Sequence, residues 1–251
     1  MAGAETVSDI EGYEWPRTDW FDYSTIAEQS REVEDYAIMF LVGGLGHFAN
    51  LIGHERFFME MALNPKMMEA GFCRTADFLA ELTERTLQAA CGRINIICIQ
   101  DDFGTQRGPM ISNETYRRFF KPHHRRIFEI GHKYGARNMQ HSCGAVFDFI
   151  PSFIEIGADI LDPIQTTAAG MQPARLKREF GKDLCFHGGI DTQNVLVHGT
   201  TEDVRRHIDS LIREFSGNGG FVLAPSHYIQ EDAPLENVLA VFDQATRWRG
   251  P

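Results

Sequence analysis

Short apolar runs alternate with longer segments of helical periodicity along most of this chain, and that alternation is the mark of repeated βα units around a parallel sheet. Six runs read as strands: Tyr36 to Val42, Ile94 to Gln100, Ala136 to Gln140, Asp159 to Leu161, Asp183 to Phe186 and Phe221 to Ala224. Between them, Val146, Phe149, Ile150, Phe153 and Ile154 recur at three- and four-residue spacing, which predicts a helix over 145–156 with one face on a sheet. Thr200 and Asp203 form a capping pattern ahead of Val204, Ile208, Leu211, Ile212 and Phe215, and Pro234 opens the last helix. Residues 65–90 and 113–133 also read as helix, the second kinked or divided by Pro122.

No linker, repeat or low-complexity tract breaks the alternation. The expected organisation is therefore an acidic N-terminal arm over residues 1–35, packed through its aromatic residues, and one α/β domain over 36–251. A length of 251 residues suits a single α/β barrel. The formal charge of −11 argues against a phosphate-backbone footprint, which needs clustered excess cation, so no nucleic-acid partner is expected. Five cysteines are too few and too odd in number for a secreted disulfide scaffold, and no apolar run approaches a membrane span or a signal-peptide core. A reducing, cytoplasmic setting without membrane attachment follows as the expectation.

In parallel α/β folds, reactive groups collect at the carboxyl ends of strands. Here those ends carry Asp101 and Asp102 with Gln106 and Arg107, then His141 and Cys143, Asp162 and Gln165, His187 and Asp191, and Ser226 and His227. One such residue could be a helix cap, but five successive polar ends point to a site. His141-Ser142-Cys143 places an imidazole and a thiol on a turn ahead of the expected helix, whose free amides would lower the thiol pKa. With His227 as third donor they match the three-ligand pattern of catalytic zinc. Spacing alone leaves an equal alternative, in which His141 is hydrogen-bonded, Cys143 is inert and His227 is a neutral acid or base. Adjacent Asp101 and Asp102 point opposite ways on an extended segment, so one of them is expected to face the opening as a general acid or base. His47, His54, His123, His124, His132, His198 and His207 read as solvated or packing residues without matching partners.

The order and spacing of Gln100-Asp101-Asp102-Phe103-Gly104-Thr105-Gln106, His141-Ser142-Cys143-Gly144, Asp162-Pro163-Ile164-Gln165, His187-Gly188-Gly189-Ile190-Asp191 and Ala224-Pro225-Ser226-His227 resemble the uroporphyrinogen decarboxylase superfamily. The resemblance implies a TIM-type (β/α)8 barrel, here lacking the first one or two βα units, either because the chain is a truncated or fragmentary member or because a partner subunit, in an oligomer, covers the open edge. It also implies one of two activities. The methyltransferase branch moves a methyl group between a small methylated compound or thiol and a corrinoid protein, using zinc; His141, Cys143 and His227 stand at the positions of its metal ligands, although the last of these is a cysteine in that branch. Asp101 or Asp102, Gln106, Gln165, His187 and Asp191 would then orient the substrate. The decarboxylase branch, which acts on tetrapyrrole acetate side chains in porphyrin biosynthesis, has a histidine at position 227 but relies on an arginine-bearing N-terminal segment absent from this sequence. Methyl transfer is the leading expectation, decarboxylation the alternative, and a non-catalytic partner subunit the third reading.

Overall fold

A computed structural model describes residues 1–217 and 219–248. Six strands, β1 (Met39–Gly43), β2 (Ile96–Gln100), β3 (Arg137–His141), β4 (Ile160–Ile164), β5 (Cys185–Ile190) and β6 (Phe221–Pro225), form a parallel α/β sheet in chain order that does not close among the described residues. Every expected strand is present, with ends shifted by a few residues. No helix of the described residues is long and apolar enough to cross a membrane.

The chain folds as two compact units. One comprises Met1–Asp101, Ile111–Gln140 and Pro151–Ala158; the other comprises Asp102–Met110, His141–Ile150 and Asp159–Pro251.

In the first unit β1 pairs with β2 from Met39 opposite Ile96 to Gly43 opposite Ile99, with a slip between Leu41 and Gly43. The helix Pro65–Ala90 starts on a proline, whose missing N–H costs nothing in a first turn. It buries Met68, Phe72, Ala76, Leu79, Thr83, Leu87 and Ala90 along one face. Each large apolar side chain so buried contributes about 1.5–3 kcal/mol relative to exposure. Phe72 sits among Phe48, Phe57, Phe119 and Phe120, and a Cβ at Gly71 would come within 2.2 Å of the Phe48 ring, so only glycine fits there. In the arm, Ile10 is buried, Trp15 Nε1 donates to Ile10 O at 2.8 Å and the Trp15 ring lies 6.2 Å from that of Phe48. Pro122 divides the 113–133 segment as expected, into Asn113–Phe119 and Lys121–Lys133.

In the second unit β5 pairs with β4 and β6. Phe186 and Phe221 pack on Phe215 with centroids 5.1 and 4.7 Å away, locking the helix Thr201–Phe215 onto these strands. Thr200 and Asp203 form the expected capping box. The segment expected as one helix over 145–156 differs. A 3-10 turn, Phe147–Phe149, precedes a short helix Ile150–Glu155. Gly144 has φ +83, the Ala145 N–H is used by Thr105 O, and Pro151 is tolerated only in a first turn, so the helix cannot reach back to Cys143.

Candidate functional site

The expectation that a helix N-terminus activates Cys143 therefore fails, and the turn is held by side chains instead. Cys143 N donates to Asp102 Oδ1 at 2.8 Å, Gly144 N to Gln165 Oε1 at 2.7 Å, and Ser142 N to Asp162 O at 2.7 Å. Ser142 Oγ accepts from Phe103 N at 2.9 Å. The loop after β2 and the turn after β3 touch backbone to backbone: a Cβ on Gly104 would lie 2.6 Å from Ala145 N, and one on Gly144 would lie 2.5 Å from Gly104 C. Glycine at both positions permits this approach.

Through that contact three potential donors converge. An oxygen of Asp102, a ring nitrogen of His141 and the Cys143 sulfur all lie within 4.8 Å of one another, and this is the only such group among the described residues. His141 Nε2 is 3.7 Å from Cys143 Sγ and 3.7 Å from Asp102 Oδ1. On its other side His141 Nδ1 is hydrogen-bonded to Asp162 Oδ2 at 2.6 Å. The second oxygen of Asp162 meets His187 Nδ1 at 2.5 Å.

Burial of His141 works against its charged form, yet the hydrogen bonds to Asp162 and Cys143 outweigh it and push the pKa up to about 10. Burial likewise opposes charge on Asp162, but hydrogen bonds from His141 and His187 hold its carboxyl below the usual range. Together they form a charge-assisted carboxylate–imidazole pair. A carboxylate on Nδ1 fixes the tautomer and turns Nε2 toward an incoming cation.

The other expected site residues take different places. Asp101 is buried; its carboxylate accepts from Leu45 N (2.9 Å) and Gly46 N (2.7 Å) and meets His124 Nε2 at 2.9 Å. His124, fully buried, thus has a partner that the sequence reading did not supply, and so does His207, whose Nε2 accepts from Asp191 N at 3.1 Å. The Asp191 carboxylate accepts from Gln193 N and Asn194 N at 2.9 and 3.0 Å and so shapes the turn after β5. Gln165 holds the Gly144 turn, and Gln106 Nε2 donates to Gln193 Oε1 at 2.5 Å on an exposed loop. Ser226 is buried, its hydroxyl donating to Ile164 O and Ile190 O. The next residue, His227, is exposed, stands outside the three-donor group and meets the Tyr228 ring edge-on at 5.5 Å.

The sequence marks Asp162 as one of the polar residues at the strand ends but gives it no role. Strand β3 ends on His141, β5 carries His187 within it, and β4 runs between them in chain order. What the pattern lacked was the register. Leu161 stands opposite Phe186 and Ile164 opposite Gly188, so Asp162 and Pro163 together face His187 alone. Such a slip re-aims a side chain.

The family model described as Uroporphyrinogen decarboxylase (URO-D) matches residues 21–248. A methylated-thiol–coenzyme M methyltransferase of Methanosarcina mazei is 26% identical over 195 residues, which are 78% of this chain and 48% of that protein. A solved methyltransferase from Methanosarcina mazei shares the fold with a TM-score of 0.70 at 18% identity, over 89% of this chain and 63% of that one. The chain thus spans about half the length of the curated relative it matches.

Proposed function

Because the chain belongs to the uroporphyrinogen decarboxylase family, we propose that it is a zinc-dependent methyltransferase acting between a small methylated compound, such as a methylated thiol, and a corrinoid protein. Asp102, His141 and Cys143 would hold the metal. The observation carrying this reading is the convergence of oxygen, nitrogen and sulfur donors within 4.8 Å, with Asp162 on the far nitrogen of the imidazole. The donor chemistry fits: carboxylate, imidazole and thiolate are all zinc ligands, and three protein ligands leave one position for substrate. The relative at 26% identity acts on methylated thiols, by its name, and supports the choice of substrate class.

A zinc ion held by Asp102, His141 and Cys143 would supply Lewis acidity, lowering the pKa of a coordinated thiol or polarising a methylated heteroatom. The protein's own groups do the rest. Asp162 holds the His141 proton on Nδ1, so that Nε2, which faces Cys143 Sγ and Asp102 Oδ1, is the nitrogen that would give up its proton to a bound cation. Asp102 both offers an oxygen and fixes the Cys143 amide, which sets where the sulfur points. Gln165 and Asp191 hold the turns that shape the opening, and Gln106 lies on an exposed loop where it can meet substrate. His227 is assigned to the substrate side as an acid or base, not to the ligand set. Tetrapyrrole decarboxylation is disfavoured electrostatically, since a polycarboxylate would face Asp102 and Asp162 on a chain of net charge −11.

Metal analysis of protein purified without a metal-binding tag tests the reading. About one zinc per chain, lost in Cys143→Ser, with methyl exchange between methylcobalamin and a thiol, is expected. A metal-free protein that consumes uroporphyrinogen would overturn it.

A further inference from the structure

We infer that His187 is a positioning residue for the metal centre, acting through Asp162; the inference rests on the ligand set proposed above. Asp162 divides its two oxygens between two rings, Oδ2 to His141 Nδ1 and Oδ1 to His187 Nδ1. Its side chain is only 14% exposed, so water has little access to replace either partner. A carboxylate bonded at one oxygen alone can rotate about its terminal torsion, which is broad for aspartate. Bonded at both, it is fixed, and with it the plane of the His141 ring.

The backbone is built to bring His187 there. Asp162 and Pro163 oppose His187 alone across the β4–β5 slip. Immediately after it, Gly188 has φ +110, and a Cβ there would lie 2.9 Å from Ile164 N and 3.2 Å from Pro163 Cα. A side chain at position 188 would push β5 away from β4 at the level of the His187–Asp162 bond. The close approach and the glycine therefore serve one contact, and that contact ends on the residue that orients a metal ligand.

The test is zinc affinity by chelator competition in the full chain, with Co(II) absorption as a second readout. His187→Ala is expected to weaken zinc binding about tenfold and to shift the Co(II) bands. His187→Gln, which retains an N–H donor, is expected to restore most of both. Asp162→Asn combined with His187→Ala should bind no more weakly than Asp162→Asn alone, because the second residue acts only through the first. Circular dichroism confirms that each variant is folded, and His187→Leu, which fills the space without a donor, replaces the alanine variant in the cycle if that variant is not. A wild-type protein that binds zinc with an affinity and spectrum indifferent to His187→Ala overturns the inference and leaves the ligand set standing. Additive losses in the double variant overturn it too. A wild type that takes up no zinc removes both.

Discussion

Asp101 and Asp102 are consecutive in sequence and opposite in circumstance. The first carboxylate is 3% exposed and meets His124 at 2.9 Å, while the second is 51% exposed and lies 3.7 Å from His141 Nε2. Extended backbone sends neighbouring side chains to opposite sides, so one peptide unit separates a group that supports the fold from one available for chemistry.

Removing one member of the buried pair should therefore damage the fold. His124→Ala leaves the Asp101 carboxylate buried with its two amide partners only, and is expected to cost about 3–5 kcal/mol. Urea unfolding checks this; a loss below 1 kcal/mol would show that the pair contributes little. Asp102→Asn should leave the unfolding midpoint nearly unchanged and reduce zinc content.

The backbone clasp between residues 104 and 144 can be tested by adding one methyl group. Gly144→Ala places a Cβ at 2.5–2.7 Å from three backbone atoms at φ +83, and is expected to cost about 1–3 kcal/mol from backbone strain, with the clash added. Because Cys143 moves with the turn, zinc affinity should fall as well. A variant of unchanged stability and affinity would show that the turn relaxes freely.

Acidification provides a third test. Burial pushes the His207 imidazole below its ordinary 6.5, with a backbone hydrogen bond at Gly189 only partly offsetting this. Just below pH 6.5 the unfolded chain then binds more protons than the folded one, so stability rises with pH across that window and is lost as pH falls through it. Protonation also removes the acceptor that Nε2 offers to Asp191 N. Urea midpoints at pH 7.5 and 5.5 should differ, and His207→Gln, whose amide oxygen can still accept, should narrow the gap. His123, also pushed down by burial, accounts for part of the remainder.

The capping box at Thr200 is a local counterpart. Its hydroxyl accepts from Asp203 N and its amide donates to the Asp203 carboxylate. Thr200→Ala is expected to cost about 1 kcal/mol. Thermal melting measures it, and an unchanged melting temperature would mean the helix is held by Phe215 packing alone.

The capping box was readable because it is a local rule: Thr200 and Asp203 lie three residues apart and meet within one turn. So were the strands, since apolar runs and their flanking turns are set by near neighbours. His141 and Cys143 were found by the same kind of proximity. Asp162 received no role, since its importance comes from a register slip between β4 and β5, and register depends on pairing between distant segments. His124 and Asp101, likewise, are 23 residues apart and joined only by the fold. The expected helix over Ala145 to Ile156 failed for a different reason. Its apolar periodicity is real, with Phe149, Ile150 and Phe153 all buried, but periodicity does not say that the Ala145 amide is taken by Thr105 O or that Pro151 is tolerated only in a first turn.

The contact between Gly104 and Gly144 has a mechanical consequence. With main chain pressed on main chain, the segments bearing residues 102 and 143 have no side chain between them that could act as a spring. The gap among the oxygen, nitrogen and sulfur is then nearly fixed in width. Selection between ions of different radius would rest on a pair of residues that offer no donor of their own.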